Sequence, residues 1–310
     1  MKFSPFLVAL VLAAPAGAET LGLAELLRLA AGNADVAMAR AGLEAARADV
    51  VAADHAPLPQ LTLKSSQMDL QHGLGGGNLF ADKRIDKSLG LDWTWERGGK
   101  RSLRTSAARS AARAAEGDLQ DVRRQQLGLV VAAGIDLAAA QQRVDEIAEL
   151  KHSADELLTA MRARHRAGDI SAQDLARAEI ETGRAGVDLA QAQADRRRAS
   201  LALARLIGRS DDDLSVDASL WPAWREPVAL DDARRGALAA GRADVQAAEA
   251  RVLAAQSQLD GALAARKSDL TWGMSVDHFP GTSSRLVELR LQMPLQIGYA
   301  QQGEIGRARA

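Results

Sequence analysis

The chain of 310 residues contains no cysteine. That excludes a lipidated N-terminal cysteine, disulfides, cysteine nucleophiles and thiolate metal sites together. Aromatic residues make up only 3%, low for an ordinary packed globule. The formal net charge is −1, so no global basic field points to nucleic acid. No apolar run reaches the roughly 18 residues that a membrane-spanning helix needs. If the chain enters a membrane, it is expected to do so as a β-barrel. None of the five histidines (His55, His72, His152, His165, His278) forms an HxH or HxxxH pair, the spacing that puts two imidazoles on one metal. The Gly75-Gly76-Gly77 run lacks the Lys-Ser/Thr of a phosphate loop. No Ser/His/Asp set or paired carboxylates suggest catalysis; the chain is expected to be no enzyme and to need no cofactor or resident metal.

What is present begins with an export address. Lys2 supplies a positive charge, Phe6 to Ala14 is a short apolar stretch, and Ala16-Gly17-Ala18 is a small-residue cleavage site. The stretch is too short to span a bilayer, so residues 1–18 read as a signal peptide cut between Ala18 and Glu19.

Ala, Leu, Arg, Glu, Asp and Gln dominate the rest, the composition of long helices and coiled coils. An amphipathic pattern runs from Leu23 to His55 and stops before Pro57 and Pro59. A proline-free helical stretch runs from about Lys100 to Arg166, on the order of 100 Å at ~1.5 Å per residue. Ala107, Ala108, Ala111, Ala114, Leu127, Val130, Ile135 and Leu137 are its expected packing seam. Gly168-Asp169 breaks it, Ser171 is suited to cap the next helix, and Gly208 closes that helix after Ile207. Ser210 to Pro227 reads as a non-helical linker, and its Asp211-Asp212-Asp213 as a solvated loop. Arg123-Arg124 and Arg196-Arg197-Arg198 lie among acids, where surface ion pairing is the default.

Helical sequence resumes at about 230–266 and brings a repeat. Ala31-Gly32-Asn33-Ala34-Asp35-Val36 recurs as Ala240-Gly241-Arg242-Ala243-Asp244-Val245, and in the same register Leu61-Thr62 falls on Leu270-Thr271. The chain therefore reads as a tandem duplication of a helix–strand–strand–long helix–helix unit. The expected organisation is a first repeat over residues 19–208, with strands at about 60–70 and 88–96 and a helical hairpin at about 100–207. A linker follows at 209–228, then a second repeat at 229–310 with strands at about 269–278 and 286–295. That copy reaches the start of its long helix at about residue 301, and the expectation is that its paired helices are missing.

Three of the four strand segments alternate cleanly. Leu89, Leu91, Trp93 and Trp95 oppose Ser88, Gly90, Asp92 and Thr94. Leu270, Trp272, Met274 and Val276 oppose Thr271, Gly273 and Ser275. Val287, Leu289, Leu291, Met293 and Leu295 oppose Glu288, Arg290 and Gln292. The first segment starts alike at Leu61 and Leu63 and weakens after Lys64. Such a face packs on a soluble core or meets lipid while the polar face lines water. The scarce aromatics Phe80, Trp93, Trp95, Trp272 and Phe279 gather here, as in an interfacial girdle. Gly73 to Asn78 and Phe279 to Ser284 read as extracellular turns. Membrane barrels need about eight strands or more, so four strands imply that several copies share one barrel. The set expected to face lipid is Leu89, Leu91, Trp93, Trp95, Trp272, Met274, Val276, Val287, Leu289, Leu291 and Met293.

This order of elements resembles the outer-membrane factor (TolC-like outer membrane efflux protein) family. Thr94-Trp95-Glu96-Arg97-Gly98-Gly99-Lys100-Arg101 is similar to that family's strand-to-helix junction, and Met293-Pro294-Leu295 with Gln301-Gln302-Gly303-Glu304-Ile305-Gly306-Arg307-Ala308 to the second junction. The wording is nearest to the CzcC-like cobalt–zinc–cadmium resistance branch. Ala167 to Leu175 resembles the hairpin tip, and Leu203 to Gly208 the end of the returning helix. The resemblance implies a mainly α protein with a small β membrane section: an α-helical barrel of long antiparallel helices joined to a trimeric twelve-stranded β-barrel. It implies an outer-membrane location with a long periplasmic part. It also implies docking onto a periplasmic adaptor and an inner-membrane pump of the resistance-nodulation-division type. The adaptor's docking site is carried onto Gly168, Asp169, Ile170 and Ser171; Asp169 stands where the family often has an apolar residue. The implied function is a passive exit duct, with divalent heavy metals as cargo. Alternatives are a multidrug or type I secretion duct, a periplasmic adaptor, or a structural coiled-coil protein of the envelope. An adaptor carries its hairpin once, and a coiled coil leaves the alternating strands unexplained.

Overall fold

The computed structural model describes residues 20–66, 85–210, 213–217, 229–279 and 283–310. The signal segment with Ala18 and Glu19, the turn at Gly73–Asn78, Phe80, His72, Asp211-Asp212 and most of the linker lie outside the described residues. In chain order the elements are β1 (Thr20–Leu21), α1 (Leu23–Ala30), α2 (Ala34–Ala53), β2 (Gln60–Ser66), β3 (Asp86–Trp95), α3 (Lys100–Arg166) and α4 (Ala172–Ile207). There follow β4 (Ser215–Val216), α5 (Asp232–Ala240), α6 (Ala243–Ala264), β5 (Leu270–Phe279), β6 (Ser283–Gln292) and α7 (Gln302–Arg309). The protein is mostly helical, with antiparallel strands. It divides into two compact units, Met1–Met38 with Val122–Ala229, and Ala39–Asp121 with Leu230–Ala310.

The first unit has a conventional apolar core. Leu26, Val130, Leu137 and Leu203 are wholly buried, and Leu21, Leu214 and Val216 nearly so. The seven-residue spacing of Val130 and Leu137 puts both on one face of α3. β1 and β4 pair in parallel, Thr20 with Ser215 and Leu21 with Val216. Two residues per strand leave backbone groups to satisfy, and side chains supply the partners. Gln141 accepts from Val216 N–H at 3.0 Å and donates to its carbonyl at 3.3 Å. Ser200 Oγ accepts from Leu214 N–H at 2.9 Å. The expected linker thus contains a strand that helps close a core.

In the second unit α3 and α6 approach closely at Gly117, where a Cβ would lie 2.8 Å from the Ala243 carbonyl oxygen and 2.9 Å from Ala247 Cβ. Ala247 is fully buried there, and Arg251 pairs with Asp118 at 2.6 Å. The four-stranded sheet runs β2-β3-β5-β6, antiparallel throughout.

Several expectations need correction. The pattern from Leu23 to His55 is two helices, and so is that from 230 to 266. The first break falls at Ala31–Asn33 because Asn33 caps α2: its Oδ1 accepts from Asp35 N–H at 2.7 Å, while its amide donates to the Leu206 carbonyl at 2.8 Å. The second falls at Gly241-Arg242, where Arg242 instead pairs with Asp244. α2 begins at Ala34 and α6 at Ala243, corresponding positions of the repeated hexapeptide. The seam on α3 divides: Ala107, Ala114, Val130 and Leu137 are buried, whereas Ala111, Leu127 and Ile135 are exposed. Ile135 is displaced around the helix from the packed stripe, while Ala111 and Leu127 lie on its flank. An 18-residue window of α3 does reach a mean hydropathy of 1.2, enough by length and composition for a membrane span. Two of its apolar side chains, Val130 and Leu137, are instead spent on the first unit's core. β6 ends at Gln292, so Met293 and Leu295 lie beyond it; Pro294 has no N–H to continue the ladder.

Candidate functional site

Two features stand out, one in each unit. In the second unit, the sheet has inverted polarity. The register aligns Leu61, Leu91, Met274 and Leu289 in one row across the strands, and Leu63, Leu89, Val276 and Val287 in the next. Trp93, Trp272 and Leu291 form a third. All of these side chains are exposed; Leu289 is 78% accessible and Trp93 62%. Trp95 and Met293 are exposed as well. The opposite face is the covered one: Gly90, Gly273, Ser275 and Asp277 are buried. It carries Thr94 and Thr271 hydroxyls 3.0 Å apart, Ser275 donating to Asp277 at 3.1 Å, and an Asp92–Arg290 ion pair at 3.0 Å. In water this arrangement is upside down: apolar rows stay wet while charges are covered. Each of the eleven residues read as the apolar strand set is exposed on this chain, Met293 from just past the strand.

The junction below the sheet is tied by residues that the sequence reading did not single out. Asp269 accepts from Arg97 N–H at 2.9 Å and from Lys100 Nζ at 2.8 Å, joining the start of β5 to the N-terminus of α3. Arg104 donates to the carbonyls of Ala53 (3.0 Å) and His55 (2.8 Å) at the end of α2, and to Glu96 (2.9 Å). A cation at a helix C-terminus satisfies orphan carbonyls, and the Glu96 bond raises the Arg104 pKa. Gly98 and Gly99 turn the chain with φ of 79° and 71°, a region that disfavours side chains.

In the first unit, α3 and α4 form a helical hairpin. Gly168 sits at φ 82°, with Asp169 N–H donating to the Arg164 carbonyl at 2.9 Å and Gly168 N–H to His165 at 3.0 Å, closing the helix end. The Ile170 carbonyl lies 3.1 Å from His165 Nδ1. Ser171 caps α4, accepting from Asp174 N–H at 3.1 Å and donating to its carboxylate at 2.6 Å. That second bond lowers the Asp174 pKa. Gly168, Asp169 and Ser171 are exposed and Ile170 half-buried. A shallow groove of about 370 Å³ adjoins the tip, lined by Leu157, Met161, Ile170 and Ala178 with Arg164 and Arg177. Among the described residues no group of three or more metal-ligating side chains converges.

A long helical hairpin joined to an inside-out sheet defines the channel class of outer-membrane protein. The family model for outer membrane efflux proteins matches residues 26–209, and the chain belongs to that family. No curated protein sequence matches it significantly. Among solved structures it is similar to CusC, at 18% identity and TM-score 0.73, covering 96% of this chain and 72% of that one. It is similar to the CmeC outer membrane channel of Campylobacter jejuni, at 15% identity and TM-score 0.71, covering 93% and 64%. A third is the outer membrane protein VceC of Vibrio cholerae, at 20% identity and TM-score 0.66, covering 93% and 72%. These likenesses establish the fold. The protein is an outer-membrane efflux channel component, a passive conduit rather than an enzyme.

Proposed function

We propose that three copies of the protein form one duct, each lending its four strands to a shared twelve-stranded barrel. The observation that carries this is the inverted sheet. Its apolar rows, Leu89 to Trp95, Trp272 to Val276 and Val287 to Met293, face lipid, and its polar face lines water. Edges β2 and β6 each have a partner on one side only among the described residues, and lipid tolerates no open edge. A neighbouring copy supplies the missing pairing. The corresponding helix breaks before Ala34 and Ala243 support a tandem duplication. Residues 1–18 act as the export signal, cut between Ala18 and Glu19.

The tip at Gly168, Asp169, Ile170 and Ser171 docks a periplasmic adaptor, which connects the duct to an inner-membrane pump of the resistance-nodulation-division type. The cargo is divalent heavy-metal cations, a reading supported by the CzcC-like wording of the two junctions. A duct needs no resident metal ligands for this; energy and selection come from the pump. Deleting the gene is expected to lower tolerance to zinc, cobalt or cadmium. Unchanged metal tolerance with new sensitivity to organic drugs would overturn the metal assignment and favour a multidrug duct. Recovery of the protein as a soluble periplasmic species in detergent-free fractionation would overturn the duct itself.

A further inference from the structure

On the covered face of the sheet, Gln60, Asp92, Gly273 and Arg290 occupy one cross-strand row, one residue from each strand. Arg290 on β6 pairs with Asp92 on β3, across the whole width of β5. Neighbouring strands are roughly 4.8 Å apart, so the guanidinium must travel along the sheet surface rather than stand away from it. Its Nη2 reaches both Asp92 oxygens, at 3.0 and 3.3 Å. The path exists because β5 has a glycine there. A Cβ on Gly273 would lie 2.3 Å from Asp92 Oδ1 and 3.1 Å from Arg290 Nε. On β3, a Cβ on Gly90 would lie 3.4 Å from Arg290 Nη2. Thr62 on β2 extends the strap by donating to Asp92 Oδ2 at 3.2 Å, and Glu288 flanks Arg290 at 3.6 Å.

We infer that Gly273 is a slot that lays Arg290 flat on the channel wall against Asp92, so that the remaining charge of this face is acidic and favours cations. The inference rests on the duct reading, which makes the covered face the water-lined one. Sharing that face by strand parity with Asp92 are Asp86, Asp277 and Glu288, against Lys64 and Arg290. With Arg290 and Asp92 neutralising each other at the wall and Asp277 buried, the charges left for passing ions are Asp86 and Glu288 against Lys64. A released Arg290, unpaired and projecting into the lumen, would oppose that field at close range. Gly273 therefore acts on selectivity without carrying charge itself.

The test uses the complete protein, assembled and reconstituted in planar bilayers, with two readouts. One is the reactivity of Arg290 toward an arginine-specific dicarbonyl reagent, mapped by mass spectrometry. The other is the reversal potential in a potassium chloride gradient. Gly273→Val keeps the net charge and blocks the slot. It is expected to make Arg290 react faster and to lower the cation preference by roughly twofold or more. Asp92→Asn removes the main partner of Arg290 without steric change, leaving Glu288 at 3.6 Å. It is expected to raise Arg290 reactivity too, which covers the case that Gly273→Val fails to assemble. Because it also removes a carboxylate, its reversal potential is read against the same variant carrying Arg290→Gln. Adding Arg290→Gln to either background is expected to restore or exceed the original cation preference. Equal Arg290 reactivity in the wild type and both single variants would overturn the slot. Faster reactivity with an unchanged reversal potential would overturn its role in selectivity. An assembled wild type that passes no ions would overturn the duct reading, and with it the selectivity role, while the reactivity comparison still decides the slot.

Discussion

The two sheets among the described residues obey the same alternation and bury opposite things. The two-stranded β1–β4 ribbon turns Leu21 and Val216 into a core with Leu26, Leu137 and Leu203, leaving Thr20 exposed. The four-stranded sheet covers Ser275 and Asp277 and exposes Leu89, Trp93, Met274 and Leu289. Period-two geometry decides only that a strand has two faces. Which face is covered depends on the solvent outside it, and the proposed duct would set the two sheets in two different solvents. The backbone solutions differ accordingly. The ribbon closes its free edge with the Gln141 amide, whereas β2 and β6 of the wide sheet each have a strand partner on one side only among the described residues.

The largest effects come from substitutions that attack each sheet in its own solvent. Leu203 is fully buried, so Leu203→Ala is expected to cost about 2–5 kcal/mol, measured as a lowered urea midpoint. The same truncation at Leu289, 78% accessible on this chain, is expected to leave the helical region untouched. Leu289→Arg is the matching insult on the other side. At the bilayer midplane it is expected to cost about 2–4 kcal/mol, read as reduced assembly into lipid vesicles. Normal assembly of that variant would mean that the exposed rows do not meet lipid.

Smaller effects belong to the hairpin tip. Ser171→Ala removes the cap on Asp174 N–H and is expected to cost about 1 kcal/mol. Gly168→Ala forces a side chain into φ 82° at about 1–2 kcal/mol. Adaptor binding by each variant, measured with purified proteins, separates docking from stability. If a docking role holds, affinity falls by more than the lost helix stability explains.

The smallest effect is a pH dependence at the second helix break. The Arg242 guanidinium holds the Asp244 carboxyl at about 2, below its ordinary 3.8. A folded-state value below the unfolded one stabilises fully above the unfolded pKa and is lost as pH falls through the folded one. The pair is therefore expected to persist through pH 4 and to dissolve only toward pH 2, with the carboxyl titration followed by NMR. The first break is capped by the neutral Asn33 instead.

Much of this was legible because it lies in patterns that a single strand or helix carries by itself. Alternation in β3, β5 and β6 identified the apolar set, and Gly168 and Ser171 announced the tip. The breaks were legible in principle at Gly32-Asn33 and Gly241-Arg242, but hydrophobic periodicity runs through them and hides them. β1 and β4 are too short for any period to register, and they form because Leu21 and Val216 fill a core assembled from distant helices. The ties made by Asp269 and Arg104, and the Asp92–Arg290 strap, depend on register between strands and helices far apart in sequence. Their one local sign is glycine on a polar strand face, at Gly90 and Gly273, where nothing about the strand itself calls for glycine.

In the proposed duct, the covered and exposed faces of the wide sheet have exchanged solvents. Since the chain has no cysteine, single cysteines can be placed along β3 and spin-labelled without a background to remove. In the lipid-reconstituted protein, labels at Leu89, Leu91, Trp93 and Trp95 should be relaxed by oxygen and protected from a water-soluble nickel complex. Labels at Ser88 and Thr94 should show the reverse. An alternation of that kind establishes lipid on the apolar face and water on the polar one. Nickel access at Leu89, Leu91 and Trp93 would contradict it and return the sheet to an aqueous surface awaiting an ordinary protein partner.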